Sequence, residues 1–209
     1  DERAARAHGR LLTPPPPGWK APARALAAVA ASTLALACSG RSDRAARPLE
    51  VLVANEVETL DPRGTTESTA LRTTRLVHAG LARLDPRTLA PVPYAAKSFR
   101  WETPTSLFVE LGPGVRFHSG KPLDAGDVIA TVAAFRASRH AHVVEPIERV
   151  EAAPGGVRVV LKRPHATLLS ALELPLLRAD QAATPPGDGR ALDGLGPYRV
   201  ARVTHGAIE

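Results

Sequence analysis

The segment that most constrains the fold runs from residue 111 to residue 135 and reads LGPGVRFHSGKPLDAGDVIATVAAF. Residues 106–111 alternate apolar and polar side chains, which predicts a half-buried strand, and the Gly-Pro-Gly that follows predicts a turn. Residues 115–117 suit a second short strand. After another turn, Asp124 and Asp127 mark the start of a helix, because acidic side chains stabilise helix N-termini, and apolar residues then recur on one face. The segment therefore predicts strand, turn, strand, turn and capped helix.

Regular structure is also predicted on both sides of this segment. Residues 49–54 form an apolar run typical of a buried strand, and residues 67–84 have the spacing of a helix that ends near Gly80. Residues 95–101 and 107–111 predict a pair of antiparallel strands. The remaining predictions are strands at 143–150 and 157–161, a buried helix over 168–177, and a strand over 198–203.

Five sequence motifs occur in the order found in one known family. The pattern LxPGVxFHxGxPLxAxDV at 111–128 resembles the signature region of the family 5 extracellular solute-binding proteins, the oligopeptide-, dipeptide- and nickel-type receptors of ABC importers. The other four motifs are NEVETLDP at 55–62, LVHAGLARLD at 76–85, VRVVLKRP at 157–164 and GLGPY at 194–198. One such motif would be weak evidence, but five in order are specific to this family.

The resemblance implies a mixed α/β fold of the periplasmic binding protein type, in which two lobes close over a ligand by hinge motion. It implies a partial first lobe formed by residues 49–80 and 176–209, with an inserted subdomain over 81–175. Because chains of this family are more than twice as long, we expect this chain to be an N-terminal fragment. The family's cleft loop matches Glu56, Val57 and Glu58, which are therefore candidate ligand-binding residues. The alternative is a solvated connection carrying two exposed acids.

The first 48 residues have the layout of an export signal. Residues 1–19 include four consecutive prolines and predict a disordered segment or upstream extension, consistent with the absence of methionine. Residues 20–38 combine basic residues, an apolar stretch of thirteen residues and Cys38, and a membrane span would need about 20. The sequence before Cys38 resembles a bacterial lipoprotein cleavage site, which predicts lipidation of this cysteine. A plain signal peptide is the alternative, and residues 39–48 predict a flexible tether.

Composition and motifs argue against several other functions. The net charge of +6 comes mainly from scattered arginines, and aromatic residues make up only 4% of the chain, so no nucleic-acid surface is predicted. We find no phosphate-binding loop, zinc helix or nucleophile elbow, so we expect no catalytic residues and no cofactor. His140 and His142 do not predict a metal site, because side chains two positions apart diverge on a strand or a helix.

Together these observations predict the substrate-binding lipoprotein of an ABC importer, located in the periplasm or at the cell surface. We expect it to be anchored to the membrane through Cys38, to capture peptides or similar small solutes, and to deliver them to a permease. Two alternatives remain open: a ligand-sensing or scaffold domain on the same fold, and a truncated chain without function.

Overall fold

The structure is a computed structural model that describes residues 51–53, 56–204 and 207–209. The predicted signal peptide, lipidation site and tether, including Cys38, lie outside the described residues. The described elements mix helices with antiparallel sheets, which confirms the predicted mixed α/β class.

The elements follow one another in a simple order. Helix α1 (Ser68–Val77) precedes a small hairpin of β1 (Ala82–Leu84) and β2 (Pro91–Pro93). The longer strands β3 (Ala96–Thr103) and β4 (Ser106–Leu111) come next, followed by helix α2 (Ala125–Arg136) and the short helix α3 (Ala141–Val144). The chain continues through β5 (Ile147–Ala153), β6 (Gly156–Leu161), the short helices α4 (Leu168–Ala171) and α5 (Ala179–Ala182), and the two-residue strands β7 (Val203–Thr204) and β8 (Ala207–Ile208).

A four-stranded antiparallel sheet with the order β3-β4-β6-β5 forms the centre of the region between α1 and α5. One face is apolar and packs against α2, whose buried apolar side chains are Val128, Val132 and Phe135. The central strands β4 and β6 contribute alternating residues to this core, namely Leu107, Val109, Val157 and Val159, all at most 1% exposed. The alternation follows from the two-residue period of a strand, which turns every second side chain inward.

The opposite face of the sheet is charged and solvated. Glu102 of β3 and Glu151 of β5 both lie within ion-pair distance of Arg158 on β6, and Arg149 pairs with Glu151. Exposed ion pairs of this kind contribute little to stability, each about 0–1 kcal/mol. One face of the sheet is therefore exposed to water, and α2 covers the other.

Several boundaries differ from the sequence predictions. Residues 51–53 are exposed and have no regular structure, so the predicted buried strand is absent there. Residues 115–117 form no strand and contain one isolated bridge, from Arg116 to Pro122, and the N–H of Phe117 bonds to the carbonyl of Lys121 across the turn at 118–120. The predicted strand 143–150 is a short helix followed by β5, and of the predicted strand 198–203 only Val203 is in a strand.

No helix among the described residues combines the length and apolar character needed to cross a membrane.

Candidate functional site

The candidate ligand loop, residues 56–58, is an irregular segment at the protein surface. Glu56 and Glu58 are exposed and Val57 is half-buried. Two residues further on, Leu60 is only 3% exposed, so the chain enters the interior immediately after the loop. The loop is therefore a surface segment whose C-terminal end is fixed to the packed part of the molecule.

Hydrogen bonds to a distant segment hold that end. The Thr59 hydroxyl donates to the carbonyl of Gly187 at 2.8 Å, and the Leu60 N–H donates to the carbonyl of Asp188 at 2.8 Å. The Gly187 N–H donates in turn to Asp61 Oδ2 at 3.1 Å. These bonds join segments more than 120 residues apart in the chain, so the position of the loop depends on residues 182–188.

A buried ion pair between Asp61 and Arg63 reinforces this junction. The two side chains are 1% and 2% exposed, and the guanidinium meets the carboxylate through two bonds, Nε to Oδ1 at 3.0 Å and Nη2 to Oδ2 at 2.7 Å. Arg63 Nη1 also donates to the carbonyls of Ala182 and Thr184 at 3.2 and 2.6 Å. Such a bidentate contact fixes the orientation of the guanidinium and the carboxylate as well as the distance between them. We call Asp61, Arg63 and residues 182–188 the clasp.

The pKa of Asp61 is lowered despite its burial. Burial acts to raise it, but hydrogen bonds from the Arg63 side chain, the Arg63 N–H and the Gly187 N–H, together with the charge of Arg63, outweigh that effect. The carboxylate is therefore ionised at neutral pH. Asp61 therefore carries the negative charge that its ion pair with Arg63 requires.

Asp127 connects the signature segment with the start of α5. Its carboxylate is fully buried and accepts hydrogen bonds from Lys121 Nζ at 2.6 and 2.8 Å, from the N–H of Asp124 at 3.1 Å and from the N–H of Ala179 at 2.8 Å. Asp124 caps α2 and bonds back to the N–H of Asp127, which completes a reciprocal capping box. The two acids predicted at this helix start are confirmed, and their role is structural.

Thr131, one turn further along α2, extends the same connection. Its hydroxyl lies 3.2 Å from the carbonyl of Leu177 and accepts the Leu177 N–H at 2.9 Å. Together, Asp127 and Thr131 accept the N–H groups of Leu177 and Ala179 at the start of α5. Helix α2 therefore positions the chain that leads into the clasp.

The turn at 118–120 contacts the GLGPY motif. The His118 N–H donates to the carbonyl of Gly194 at 2.8 Å, and His118 Nε2 lies 2.9 Å from the carbonyl of Gly196. On its other side the motif contacts the end of α1, where the Gly196 N–H donates to Val77 O at 2.8 Å and the Tyr198 N–H to Leu76 O at 3.0 Å. Two of the motifs that resemble the family thus contact each other. A third motif, at 76–85, contacts the GLGPY motif.

His78 is buried at the end of α1 without a hydrogen-bond partner for either ring nitrogen. Burial lowers its pKa to about 4, and the nearby carbonyl of Leu176 and the charge of Asp61 only partly oppose this effect. The imidazole is therefore neutral in the folded chain at neutral pH.

This buried histidine predicts a loss of stability in acid. Between pH 6.5 and 4 the unfolded state binds a proton that the folded state does not, so the free energy of unfolding falls as the pH falls. A shift of the His78 pKa from 6.5 to about 4 lowers the free energy of unfolding by about 2 kcal/mol between pH 8 and pH 5. Urea unfolding of the full chain at both pH values measures it, with His78→Leu as the control. The variant should lose about 2 kcal/mol less than the wild type, and an equal loss would contradict a buried neutral His78.

The histidines at 140 and 142 lie closer than predicted. They flank the start of α3 with ring centroids 6.2 Å apart, but His140 Nε2 is engaged with the carbonyl of Thr65 at 2.6 Å. Within residues 51–53, 56–204 and 207–209, no group of three or more His, Cys, Asp or Glu side chains is arranged to hold a metal ion.

Solved structures of binding proteins share this fold. NikZ from Campylobacter jejuni, in complex with Ni(L-His), is 25% identical and superposes with a TM-score of 0.62, covering 73% of this chain and 32% of its own. OppA from Burkholderia pseudomallei is 21% identical, with a TM-score of 0.63 and coverage of 73% and 35%. AppA from Bacillus subtilis, in complex with a nonapeptide, is 20% identical, with a TM-score of 0.62 and coverage of 72% and 34%.

These matches confirm the predicted resemblance: the chain has the periplasmic binding protein-like fold of the family 5 solute-binding proteins over a partial region. It spans about a third of the length of these proteins. They are binding proteins rather than enzymes, in agreement with the absence of catalytic motifs from the sequence. No protein-family model and no curated protein sequence matches the chain.

Sequence reasoning missed Arg63, Asp193 and His78. Arg63 carried a weak signal, because Asp-Pro-Arg begins two residues after the candidate loop ends. Asp193 accepts the Ser119 N–H and pairs with Arg178, and no local pattern indicates either partner. Glu56, Val57 and Glu58 remain predictions, because the contacts described above fix the end of their loop and do not reveal a ligand.

Proposed function

We propose that this chain forms part of the substrate-binding lipoprotein of an ABC importer, which captures peptides or similar small solutes outside the cytoplasmic membrane. The observation that carries the proposal is the shared fold over about 73% of the chain with proteins solved bound to Ni(L-His) or to a nonapeptide. In such a protein no bond is made or broken, so the required parts are a shaped surface, exposed hydrogen-bonding backbone and a rigid support.

The domain division predicted from the sequence belongs to this proposal. Residues 49–80 and 176–209 would form the partial first lobe, with residues 81–175 inserted. Two sets of hydrogen bonds support it, those between Thr59 or Leu60 and residues 187–188, and those between the end of α1 and residues 196–198. The inserted residues contain the four-stranded sheet and α2, and their hydrophobic core also includes Leu176, Leu177 and Ala182 from the chain that follows.

Glu56, Val57 and Glu58 would contact the ligand mainly through their main chain. Main-chain recognition suits a binder of varied peptides, because every peptide offers the same N–H and C=O groups whatever its side chains. The side chains of Glu56 and Glu58 would then contribute charge near the ligand rather than specific pairing.

This mode of binding gives a direct test. We expect a broad library of short peptides, with the nickel–histidine complex included, to raise the melting temperature of the full chain with some members. Val57→Pro removes a backbone N–H and should weaken binding of those members about tenfold. Glu58→Ala, the matched control, keeps the main chain and should have a smaller effect. A library that stabilises nothing would count against the solute-binding function.

Anchoring through Cys38 is the second part of the proposal. Its support is in the sequence: basic residues, a short apolar stretch and the chain's single cysteine in the order of a lipoprotein signal. We expect mass spectrometry of the membrane fraction to find a mature N-terminus at a diacylglyceryl-modified Cys38, and Cys38→Ser to release the protein from the membrane. An uncleaved or unmodified N-terminus would exclude the anchor. Delivery to a permease would follow capture at the membrane surface.

A further inference from the structure

The clasp contains a buried ion pair and several hydrogen bonds, although apolar side chains could pack the same part of the chain. Arg63 donates to a carboxylate through two atoms and to backbone carbonyls of residues 182 and 184, while Asp61 accepts from Arg63 and from the Gly187 N–H. A buried ion pair is seldom more stabilising than well-packed apolar side chains of the same volume, because desolvating two charges is costly. Its geometric precision is the better explanation for its presence.

That precision is applied directly beside the candidate loop. Asp61 lies three positions after Glu58, and the two residues between them are the ones whose hydrogen bonds run to residues 187 and 188. The Asp61 N–H also donates to the Thr59 hydroxyl at 3.0 Å, which joins the ion pair to the residue that follows the loop. Few rotatable bonds therefore separate the fixed guanidinium fork from residues 56–58.

The other side of the clasp is fixed as well. Residues 182–188 begin at the last residue of α5, and the N–H of Ala179, the first residue of that helix, donates to the buried Asp127 carboxylate. A continuous set of hydrogen bonds thus runs from α2 through α5 and the clasp to Thr59 and Leu60, the two residues that follow the loop. Such a connection allows rigid secondary structure to determine the conformation of a surface loop.

We propose, on the basis of the function proposed above, that Asp61 and Arg63 are positioning residues that hold the 56–58 loop in one conformation before a ligand arrives. Holding the loop in advance lowers the entropy cost of binding, because its backbone need not be ordered by the ligand. The pair acts through Thr59 and Leu60 and does not itself touch the ligand. Loss of either charged partner releases the loop while the sheet and α2 remain folded.

Hydrogen exchange of the full chain, measured by mass spectrometry without ligand, tests this role. Arg63→Lys keeps the charge but loses the two-pronged fork, and Arg63→Met loses both. We expect exchange of the Leu60, Asp61 and Gly187 N–H groups, which are hydrogen-bonded in or beside the clasp, to accelerate by about tenfold or more in the order wild type, Arg63→Lys, Arg63→Met, with β4 and β6 unchanged. Arg75→Met is the control, because it removes an ion pair between Glu173 and an arginine whose side chain is 60% exposed and makes no contact with the clasp.

Two results would overturn the positioning role: unchanged exchange of the Leu60, Asp61 and Gly187 N–H groups in both Arg63 variants, or acceleration there that is matched in β4 and β6. Asp61→Asn gives a milder change from the other side of the pair if Arg63→Met fails to fold. Because this exchange is read without peptide, it is independent of the binding test. Lack of stabilisation of the wild type by the peptide library refutes the proposed function, whereas unchanged loop exchange refutes the positioning residues.

Discussion

Asp127→Ala should destabilise the full chain by about 4 kcal/mol, the largest effect we expect from a single side chain. The carboxylate is fully buried and accepts from Lys121 and from the N–H groups of Asp124 and Ala179. Removing it leaves both N–H groups without their acceptor in the interior, and each unsatisfied buried donor costs about 1–3 kcal/mol. Lys121 is 35% exposed, so its ammonium can turn towards water and adds little to the loss.

Chemical denaturation of the full chain measures this effect, and two further variants define its cause. Asp127→Asn keeps one acceptor oxygen and should cost about 2 kcal/mol. Asp124→Asn is the matched control, because asparagine caps helices as well as aspartate and should change stability by less than about 0.5 kcal/mol. If Asp127→Ala is no worse than Asp124→Asn, the carboxylate does not connect the signature segment to α5, and the structural role of that segment is wrong.

Gly194→Ala should cost about 3 kcal/mol, because there is no space for a Cβ atom. An added methyl group at Gly194 would overlap the carbonyl oxygen of Val77, which is backbone and cannot rotate away as a side chain can. The GLGPY turn would have to move off the end of α1. That movement would break the hydrogen bonds from Gly196 to Val77 and from Tyr198 to Leu76.

Gly187→Ala provides the control for this substitution. A Cβ at Gly187 meets nothing within 4 Å, so the same change should alter stability by less than about 0.5 kcal/mol. Urea unfolding of both variants gives the comparison. Equal stability of the two would mean that residues 194–198 do not pack against α1 as closely as described.

Local patterns predicted the elements whose partners are close in the chain. The alternation of residues 106–111 and the neighbouring strand-like residues 95–101 predicted the β3–β4 pair, and Asp124 followed by Asp127 predicted the capped start of α2. In each case the determining interaction is contained within a few residues. Such interactions leave their period or spacing in the sequence.

Elements that depend on distant partners were predicted poorly. The valines at 143–144 favoured a strand by composition, but Val144 is buried in the core as part of α3. The strand starts only after Pro146, which has no N–H to donate to a ladder. Residues 51–53 were predicted to be a buried strand from their apolar character, yet a strand also needs a neighbour, which their own sequence does not specify.

In the candidate site, too, local features were predicted from the sequence and long-range contacts were not. The position of the 56–58 loop was inferred from the family resemblance, whereas its clasp was not. Arg63 meets carbonyls of residues 182 and 184, about 120 positions away, and backbone carbonyls have no sequence signature. Asp127 was correctly predicted to be a helix-start acid, but its bond to Ala179 follows only from the packing of α2 against α5.

Hydrogen exchange of the full chain, with and without a stabilising member of the peptide library, tests most directly whether this chain is a solute-binding protein. The proposed function predicts that bound peptide slows exchange at residues 56–58 and leaves β4 and β6 unchanged. Protection restricted to other surfaces, such as the groove between Arg136 and Lys162, or no peptide that protects any residue, would contradict it.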